Sequence, residues 1–488
     1  VIVFYNPKAI RRGRNRRLPL SVLAIAAMLE GKEEYVIVDG NLDPHPTESL
    51  VALIRERYVE LLAVTVMPGP QTVGAVATCR EIRARFPHLP IVWGGYFASN
   101  YTAAVLNANY VDYAVRGQGE LTFLELLEAL RGKRSLTEIH GLSYKDADGA
   151  HHDNPERPLR SPEDFPWPPF QSIPVEKYLM PTFLGSRTTV HQASIGCPYR
   201  CNFCGVVTFS GSREKMESPA RTENILRHQV RTYGVNAVQF YDNNFFLRED
   251  HTRELADRLA PLKLRWWCEG RVDILMSYSD ATMEALRRAG CTMIFFGAES
   301  GSNEILKEMN KDLHAEDTLA LASRIRRFGI VPEFSIIFGN PKNPEGDTRD
   351  CIRFIRQLKR LNPDAEIVVE HYTPVPQRER MYGGIQDEFQ FPTTPDEWAT
   401  ERWQQFATQR NPGTPWLRPR TKRLIDNFDL VVSSRWPTIQ DSHLPAWGRL
   451  LLQATSSWRY QIGFYAAPLE LRWMQQFIEL RKPREESL

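Results

Sequence analysis

Long apolar runs are missing from this chain. No stretch approaches the ~20 residues that a membrane-spanning helix needs, and no signal-peptide pattern precedes the first strand-like run. Charge of one sign is missing too: 61 Lys and Arg stand against 59 Asp and Glu, for a formal net charge of +2, which gives no electrostatic footprint for nucleic acid. Cysteine is sparse, with seven in 488 residues, too few for a disulfide framework, so a reducing cytoplasm is the expected setting. Four of them, Cys79, Cys268, Cys291 and Cys351, are scattered. The chain opens in strand-like residues without Met, and a few residues are expected to have been trimmed ahead of Val1. The hydrophobic share, 42%, is ordinary for a globular protein, and the length suggests two to four domains with full-sized cores.

The other three cysteines crowd into Ser194-Ile195-Gly196-Cys197-Pro198-Tyr199-Arg200-Cys201-Asn202-Phe203-Cys204-Gly205. Closed electron-transfer clusters take four cysteines. Three thiols therefore imply a [4Fe-4S] cube with one iron open to an external ligand, as catalytic zinc sites keep one position open. A zinc site short of its fourth ligand and buried free cysteines are the plain alternatives, although zinc patterns come as paired CxxC or Cys/His sets. With CxxxCxxC spacing and Phe203 just before the last cysteine, the motif resembles the radical S-adenosylmethionine (SAM) superfamily. That resemblance implies a cluster on Cys197, Cys201 and Cys204, SAM chelated to the free iron, and reductive cleavage to a 5′-deoxyadenosyl radical.

Residues 1–135 alternate β-rich runs (Val1–Tyr5, Tyr35–Val38, Leu61–Val66, Ile91–Trp93, Tyr113–Val115) with helical stretches, which predicts an α/β, doubly wound parallel sheet. Ligands of such sheets bind at the carboxyl ends of the strands. There the chain carries Asn6-Pro7, Asp39-Gly40, Val66-Met67-Pro68-Gly69, Gly94-Gly95-Tyr96 and Gly117-Gln118-Gly119-Glu120. Singly, each is an ordinary turn. Together they resemble the Rossmann-like cobalamin-binding domain that precedes many radical SAM domains, which implies that these loop residues contact cobalamin. The DxHxxG motif that supplies a histidine ligand to cobalt is absent; Asp43-Pro44-His45 mimics its first half but has Glu48 where Gly is required. The expectation is a solvated turn at His45, a cobalt without a histidine ligand, and Met67–Pro70 covering its lower face. Arg11, Arg12, Arg14, Arg16 and Arg17 crowd the first loop, either as bidentate donors to a phosphate or carboxylate or as a solvated basic loop.

Residues 136–182 read as a proline-rich connector. A hairpin of Gly141–Tyr144 with Asp146–Gly149 precedes seven prolines between Pro155 and Pro174, and Phe165, Trp167 and Phe170 are its expected apolar anchors. Residues 183–385 again alternate strand and helix, as a partial (β/α)6 barrel would, with its active site at the carboxyl ends of the strands. Thr188–Ile195 reads as the first strand, ahead of the cysteine loop. The later strand ends resemble the radical SAM core in order. The resemblance implies that Asp242, Asn243 and Asn244 meet the SAM amino group, Arg271, Glu299 and Ser300 its carboxylate or ribose, and Asn340-Pro341 its adenine, with Phe203 also at the SAM site. An ordinary strand-end ion pair is the plain alternative for Arg271 and Glu299. Lys311 matches a recurrent position of unassigned function.

Residues 386–488 carry Trp, Arg and Leu at helical spacing and read as a C-terminal helical cap, packed as a core or presenting an interfacial surface to lipid. The family resemblance implies methyl transfer to an unactivated carbon through a 5′-deoxyadenosyl radical and methylcobalamin. Alternatives are a cyclase like the anaerobic Mg-protoporphyrin monomethyl ester cyclase, a cobalamin-free radical SAM enzyme, or a cluster or cobalamin sensor without turnover. It also implies a small-molecule or lipid-like substrate and an external one-electron donor of the flavodoxin or ferredoxin type, with peripheral membrane contact as a further expectation.

Overall fold

The computed structural model describes residues 1–9, 16–377, 381–385, 389–407, 414–441 and 444–477; Arg11, Arg12 and Arg14 lie outside the described residues. The chain divides into two compact units. One comprises Val1–Met180, His191–Ser218 and Thr373–Pro412, the other Pro181–Val190, Pro219–Tyr372 and Gly413–Leu488.

In the first unit, β1 (Ile2–Asn6), β2 (Tyr35–Asp39), β3 (Leu61–Thr65), β4 (Ile91–Gly94), β5 (Tyr113–Val115), β6 (Leu142–Lys145) and β7 (His151–Asp153) form one sheet in the order β2-β1-β3-β4-β5-β6-β7. The pairs among the first five strands are parallel, and β6 and β7 extend the edge antiparallel. Runs such as Ile2-Val3-Phe4-Tyr5 are apolar throughout because both faces are covered. Val3, Tyr5, Val64 and Trp93 enter one core, while Ile2, Phe4, Ala63 and Val92 enter the other. Strand order reverses between β1 and β3, so the crevice beyond their carboxyl ends is the switch point where this topology binds ligands. The connector hairpin has its second strand later than expected, at His151–Asp153, because Asp146 caps the turn by accepting from the Asp148 and Ala150 amides. Phe165 and Phe170 are buried anchors as expected, but Trp167 is 42% exposed.

The segment after residue 373 returns to this unit and seals one face of the sheet. Trp398 and Phe406 join the core of Trp93 and Phe97, and Trp398 lies 5.6 Å edge-on to Phe97 and 4.5 Å from Tyr101 between ring centroids. Tyr110 donates to Asp396 at 3.0 Å, and Arg80 pairs with the same carboxylate at 2.6 Å.

Strand β8 (Thr188–His191) stops four residues before the expected end. The chain resumes as β9 (Ser194–Gly196), which turns aside to pair antiparallel with β10 (Glu214–Met216). The break is fixed by the Glu217 amide donating to the Ala193 carbonyl at 2.9 Å and by the buried His191–Glu217 pair at 2.6 Å. In the second unit, β11 (Ala237–Phe240), β12 (Arg265–Gly270), β13 (Cys291–Glu299), β14 (Val331–Phe338) and β15 (Glu366–His371) continue from β8 in the order β15-β14-β13-β12-β11-β8. The pairs from β11 to β15 are parallel, as an open barrel requires. The helices Pro419–Arg435, Ala446–Ile462 and Leu469–Met474 complete this unit.

Trp398→Ala is expected to remove about 3–5 kcal/mol from the first unit, the usual cost of emptying a buried indole site, read as a lower denaturant midpoint. Trp398→Phe, which also removes an indole N–H that has no partner, should cost much less.

Candidate functional site

In the first unit the cysteine loop runs from β9 to the short helix Gly205–Ser210. Cys201 is buried, Cys197 and Cys204 are half-buried, and none of the three is in a disulfide. A cube takes each thiolate on a different iron. Among the described residues no three His, Cys, Asp or Glu side chains form a single-ion site. Cys79 accepts from the Trp93 indole, Cys268 and Cys291 stand in β12 and β13, and Cys351 lies in the helix Pro344–Leu361, so the loop itself supplies three thiols, which fits a cube with one open iron.

The loop is held by residues far away in sequence. Gln377 donates to the Cys204 carbonyl at 3.1 Å, Thr208 to the Pro376 carbonyl at 3.0 Å, and the Tyr382 amide to the Asn202 carbonyl at 3.2 Å. Glycine flanks it for steric reasons. Gly196 has φ +86°, and a Cβ there would meet the Arg213 carbonyl; a Cβ on Gly205 would overlap the Tyr96 hydroxyl. Tyr96, expected at cobalamin, is half-buried with its hydroxyl against the residue after Cys204, and desolvation pushes its phenol well up.

Beside β9 the same unit forms a cavity of about 220 Å³, lined by apolar Phe4, Val92 and Phe123 and by Gly94, Gly117 and Ile195. It is the size of a planar base rather than a whole corrinoid, and glycine shapes it. A Cβ on Gly95 (φ +88°) would press on Thr65 and Val66, and one on Gly119 would press on Ile25 and Val115. Desolvation raises the Glu120 carboxyl at its edge. At the switch point, Gly69 (φ +104°) faces open space. Gln71 ties the two crevice loops together, accepting from the Met67 amide at 2.9 Å and donating to Asn6 Oδ1 and the Pro7 carbonyl at 3.0 and 3.1 Å. Met67 is 45% exposed, and His45 is exposed in its turn. These features fit a nucleotide tail in the cavity and a flat ring over Met67–Pro70. Two of the expected contacts have other partners: Asp39 accepts from Tyr178 and Asn41, and Gln118 exchanges both amide bonds with the Arg160 backbone.

In the second unit, Asn244 follows β11 at 1% exposure, and neither its amide oxygen nor its nitrogen has a partner. A buried carboxamide with both ends unmet is costly unless a ligand completes it, so this loop fits a zwitterionic ligand group. Arg271 and Glu299 do not bridge to each other. Arg271 forks onto Asp273 at 2.9 and 3.2 Å and donates to the Lys311 carbonyl at 2.6 Å, while Lys311 Nζ holds Glu299 Oε1 at 2.7 Å. Glu299 sits at a bulge in β13 with φ +60°, and Lys311 lies between Asn310 and Asp312, also at positive φ. Such strain concentrates at functional sites. Ser300 accepts from the Ser302 amide, Asp347 accepts from the Gly339 and Asn340 amides, and Pro341 follows.

One set of residues was not anticipated. The strand registers align Glu269, Phe295, Glu333 and Glu366, so all four leave the sheet on the face that carries Trp267 and Met293. Gln440 donates to both Glu333 and Glu366, at 3.0 and 3.1 Å, and Glu370 projects on the same side. Glu269 keeps some exposure but is walled by protein; desolvation, then the charges of Glu333, Asp242 and Glu370, push its carboxyl from 4.5 to about 8. The alternation Trp267-Cys268-Glu269 was the available signal.

Residues 192–355 match the radical SAM superfamily and residues 14–127 the B12 binding domain. The chain is 27% identical over 348 residues to an uncharacterized methyltransferase of Pyrococcus horikoshii, covering 70% of this chain and 73% of that one. It is 28% identical over 369 residues to the cytidylyl-2-hydroxyethylphosphonate methyltransferase of Streptomyces wedmorensis, covering 66% and 69%. Its fold is like that of the radical SAM methyltransferase TsrM from Kitasatospora setae, solved with cobalamin and a [4Fe-4S] cluster bound, with TM-score 0.66, 16% identity and 98% of each chain covered.

Gly205→Ala is expected to lose most of the bound iron while leaving the second unit folded, measured by iron content and circular dichroism. Glu269 is protonated in the folded chain but ionised in the unfolded one between its two pKa values, so stability falls as pH rises from about 4.5 towards 8. The slope is at most roughly 1.4 kcal/mol per pH unit. Glu269→Gln should flatten this dependence; an unchanged pH–stability curve would contradict the assignment.

Proposed function

Because the chain belongs to the radical SAM superfamily and carries a B12 binding domain, we propose that it is a cobalamin-dependent radical SAM enzyme that transfers methyl groups to unactivated carbon. The observation that carries the reading is local to one compact unit: the tail-sized cavity is walled by Ile195, two residues before the first of the three loop cysteines. When bound, the cluster with SAM supplies a 5′-deoxyadenosyl radical for hydrogen abstraction, and methylcobalamin supplies the methyl group.

The chain's own residues bind, orient and exclude water. Cys197, Cys201 and Cys204 would hold three irons of the cluster, and Gln377 and Tyr382 fix the backbone of the loop that carries them. Phe203 lies within this loop as an apolar contact for SAM. The unmet Asn244 carboxamide, with Asp242 and Asn243, takes the SAM amino end. Arg271 is oriented by Asp273, Glu299 is held by Lys311, and Ser300 stands beside it; together they address the carboxylate and ribose. Asn340 and Pro341 line the adenine end. Gly94, Gly95, Gly117 and Gly119 admit the cobalamin tail to the cavity, with Tyr96, Gln118 and Glu120 around it. Met67, Pro68 and Gly69, following Val66, cover the lower face of the ring, and Asn6, Pro7 and Asp39 shape that crevice. The substrate is a small molecule or a lipid-like one, the reductant an external one-electron donor of the flavodoxin or ferredoxin type, and the setting a reducing cytoplasm.

Anaerobically reconstituted protein with cobalamin, SAM and a chemical reductant is expected to form both S-adenosylhomocysteine and 5′-deoxyadenosine. Replacing all three loop cysteines by Ala should abolish 5′-deoxyadenosine while S-adenosylhomocysteine persists. Formation of 5′-deoxyadenosine alone would shift the reading to a cyclase-type reaction, and neither product would leave a sensor.

A further inference from the structure

The apolar side chains left outside the fold are not scattered. Of the fourteen large hydrophobic residues exposed among the described residues, nine lie between Trp447 and Phe477. Along the helix Ala446–Ile462, Trp447 (64% exposed), Leu450 (67%), Leu451, Trp458 and Ile462 (71%) recur at i, i+3, i+4, i+11 and i+15, which places them on one face. Gly448, Leu452, Ser456 and Arg459 form the opposite, buried face. Phe464 in the following turn, then Leu469, Trp473 and Phe477 on the next helix, extend the exposed surface. An outward face of this kind on a soluble fold marks a contact surface.

Its charges select the partner. The Arg459–Glu470 pair joins the two helices and cancels internally, with a second bond at 2.8 Å and an Arg459 bond to the Ala466 carbonyl. Arg472, exposed between Leu469 and Trp473, donates to Asn427 Oδ1, a neutral oxygen, and so brings an uncancelled positive charge to the surface, whereas Arg449 lies on the far side of its helix, bonded to the Asp441 carbonyl. From Thr414 to Phe477 the sequence has eight Lys and Arg against four Asp and Glu. Tryptophan and leucine on a face bordered by Arg472, in a segment with an excess of positive charge, suit the headgroup–acyl boundary of an anionic bilayer. No helix among the described residues is long and apolar enough to cross a membrane, so the surface would lie on the bilayer rather than span it.

We propose that the outward face of the helices Ala446–Ile462 and Leu469–Met474 docks on an anionic lipid surface. The docking does not depend on the reaction catalysed. Anaerobically reconstituted full chain is floated with vesicles of phosphatidylglycerol and phosphatidylcholine, and with phosphatidylcholine alone; the variant Leu450→Glu/Ile462→Glu is treated in parallel, with iron and cobalamin content reporting its fold. The expected result is flotation with the anionic vesicles, weakened by salt, and at least about a tenfold loss in the variant, as charge placed in a buried apolar contact imposes. A second variant, Trp473→Glu, placed on the other helix, should lose flotation as well. Absence of flotation, equal flotation of wild type and both variants, or equal binding to neutral vesicles would overturn the proposal. So would a wild-type dimer in sedimentation that the variants convert to monomer without any vesicle binding, since that would assign the face to a second copy.

Discussion

An iron–sulfur cube held by three thiols has one iron for the reaction, and its direction is set by the loop that carries the thiols. Everything that makes this loop rigid is therefore part of the site. Within the loop the Cys204 amide donates to the Cys201 carbonyl. Rigidity comes from Gln377, Pro376 and Tyr382 on one side and from the Tyr96 ring pressed on Gly205 on the other. Tyr96 follows the Gly94-Gly95 pair that lines the cavity, so in this unit one segment touches both the cysteine loop and the cavity wall.

A similar economy governs the second unit. Lys311, Glu299, Arg271 and Asp273 form one connected chain of bonds, in which the Lys311 side chain holds the carboxylate and its backbone carbonyl holds the guanidinium. Charge-assisted bonds of this kind hold orientation as well as energy. Asn244, by contrast, is left with both ends open. The pre-organised groups and the unmet one complement each other: the first define a fixed frame, the second marks where something outside the chain completes it.

Much of this was legible in the residues. The five parallel strands of the first sheet follow from β-rich runs separated by helical ones, and the strand-end loops follow from their glycines and prolines. The cysteine loop follows from spacing alone. What was not legible is tertiary. Gln71 and Gln377 have no local pattern that marks them as bridges, because the far ends of those bridges, at Pro7 and Cys204, lie 64 and 173 residues away. The split of Thr188–Ile195 into β8 and β9 depends on the partner strand β10 and on Glu217, neither of which leaves a trace in the apolar run itself. Trp167 looked like an anchor because it is aromatic among prolines, yet Phe165 and Phe170 do that work and leave it 42% exposed.

The interleaving of the two units along the chain orders events during synthesis. The first unit contains Val1–Met180 but also needs Thr373–Pro412, whose Trp398 and Phe406 close the core around Phe97. A ribosome adding roughly 5–20 residues per second therefore leaves that core open for tens of seconds after its strands have emerged. During this interval the apolar surface beside Trp93 and Tyr101 is uncovered, and the β/α repeats of the second unit are translated before the first can finish. The nascent chain thus has a built-in waiting period in which its most aromatic core is a target for chaperones, and in which the cysteine loop, already synthesised, has not yet met Gln377.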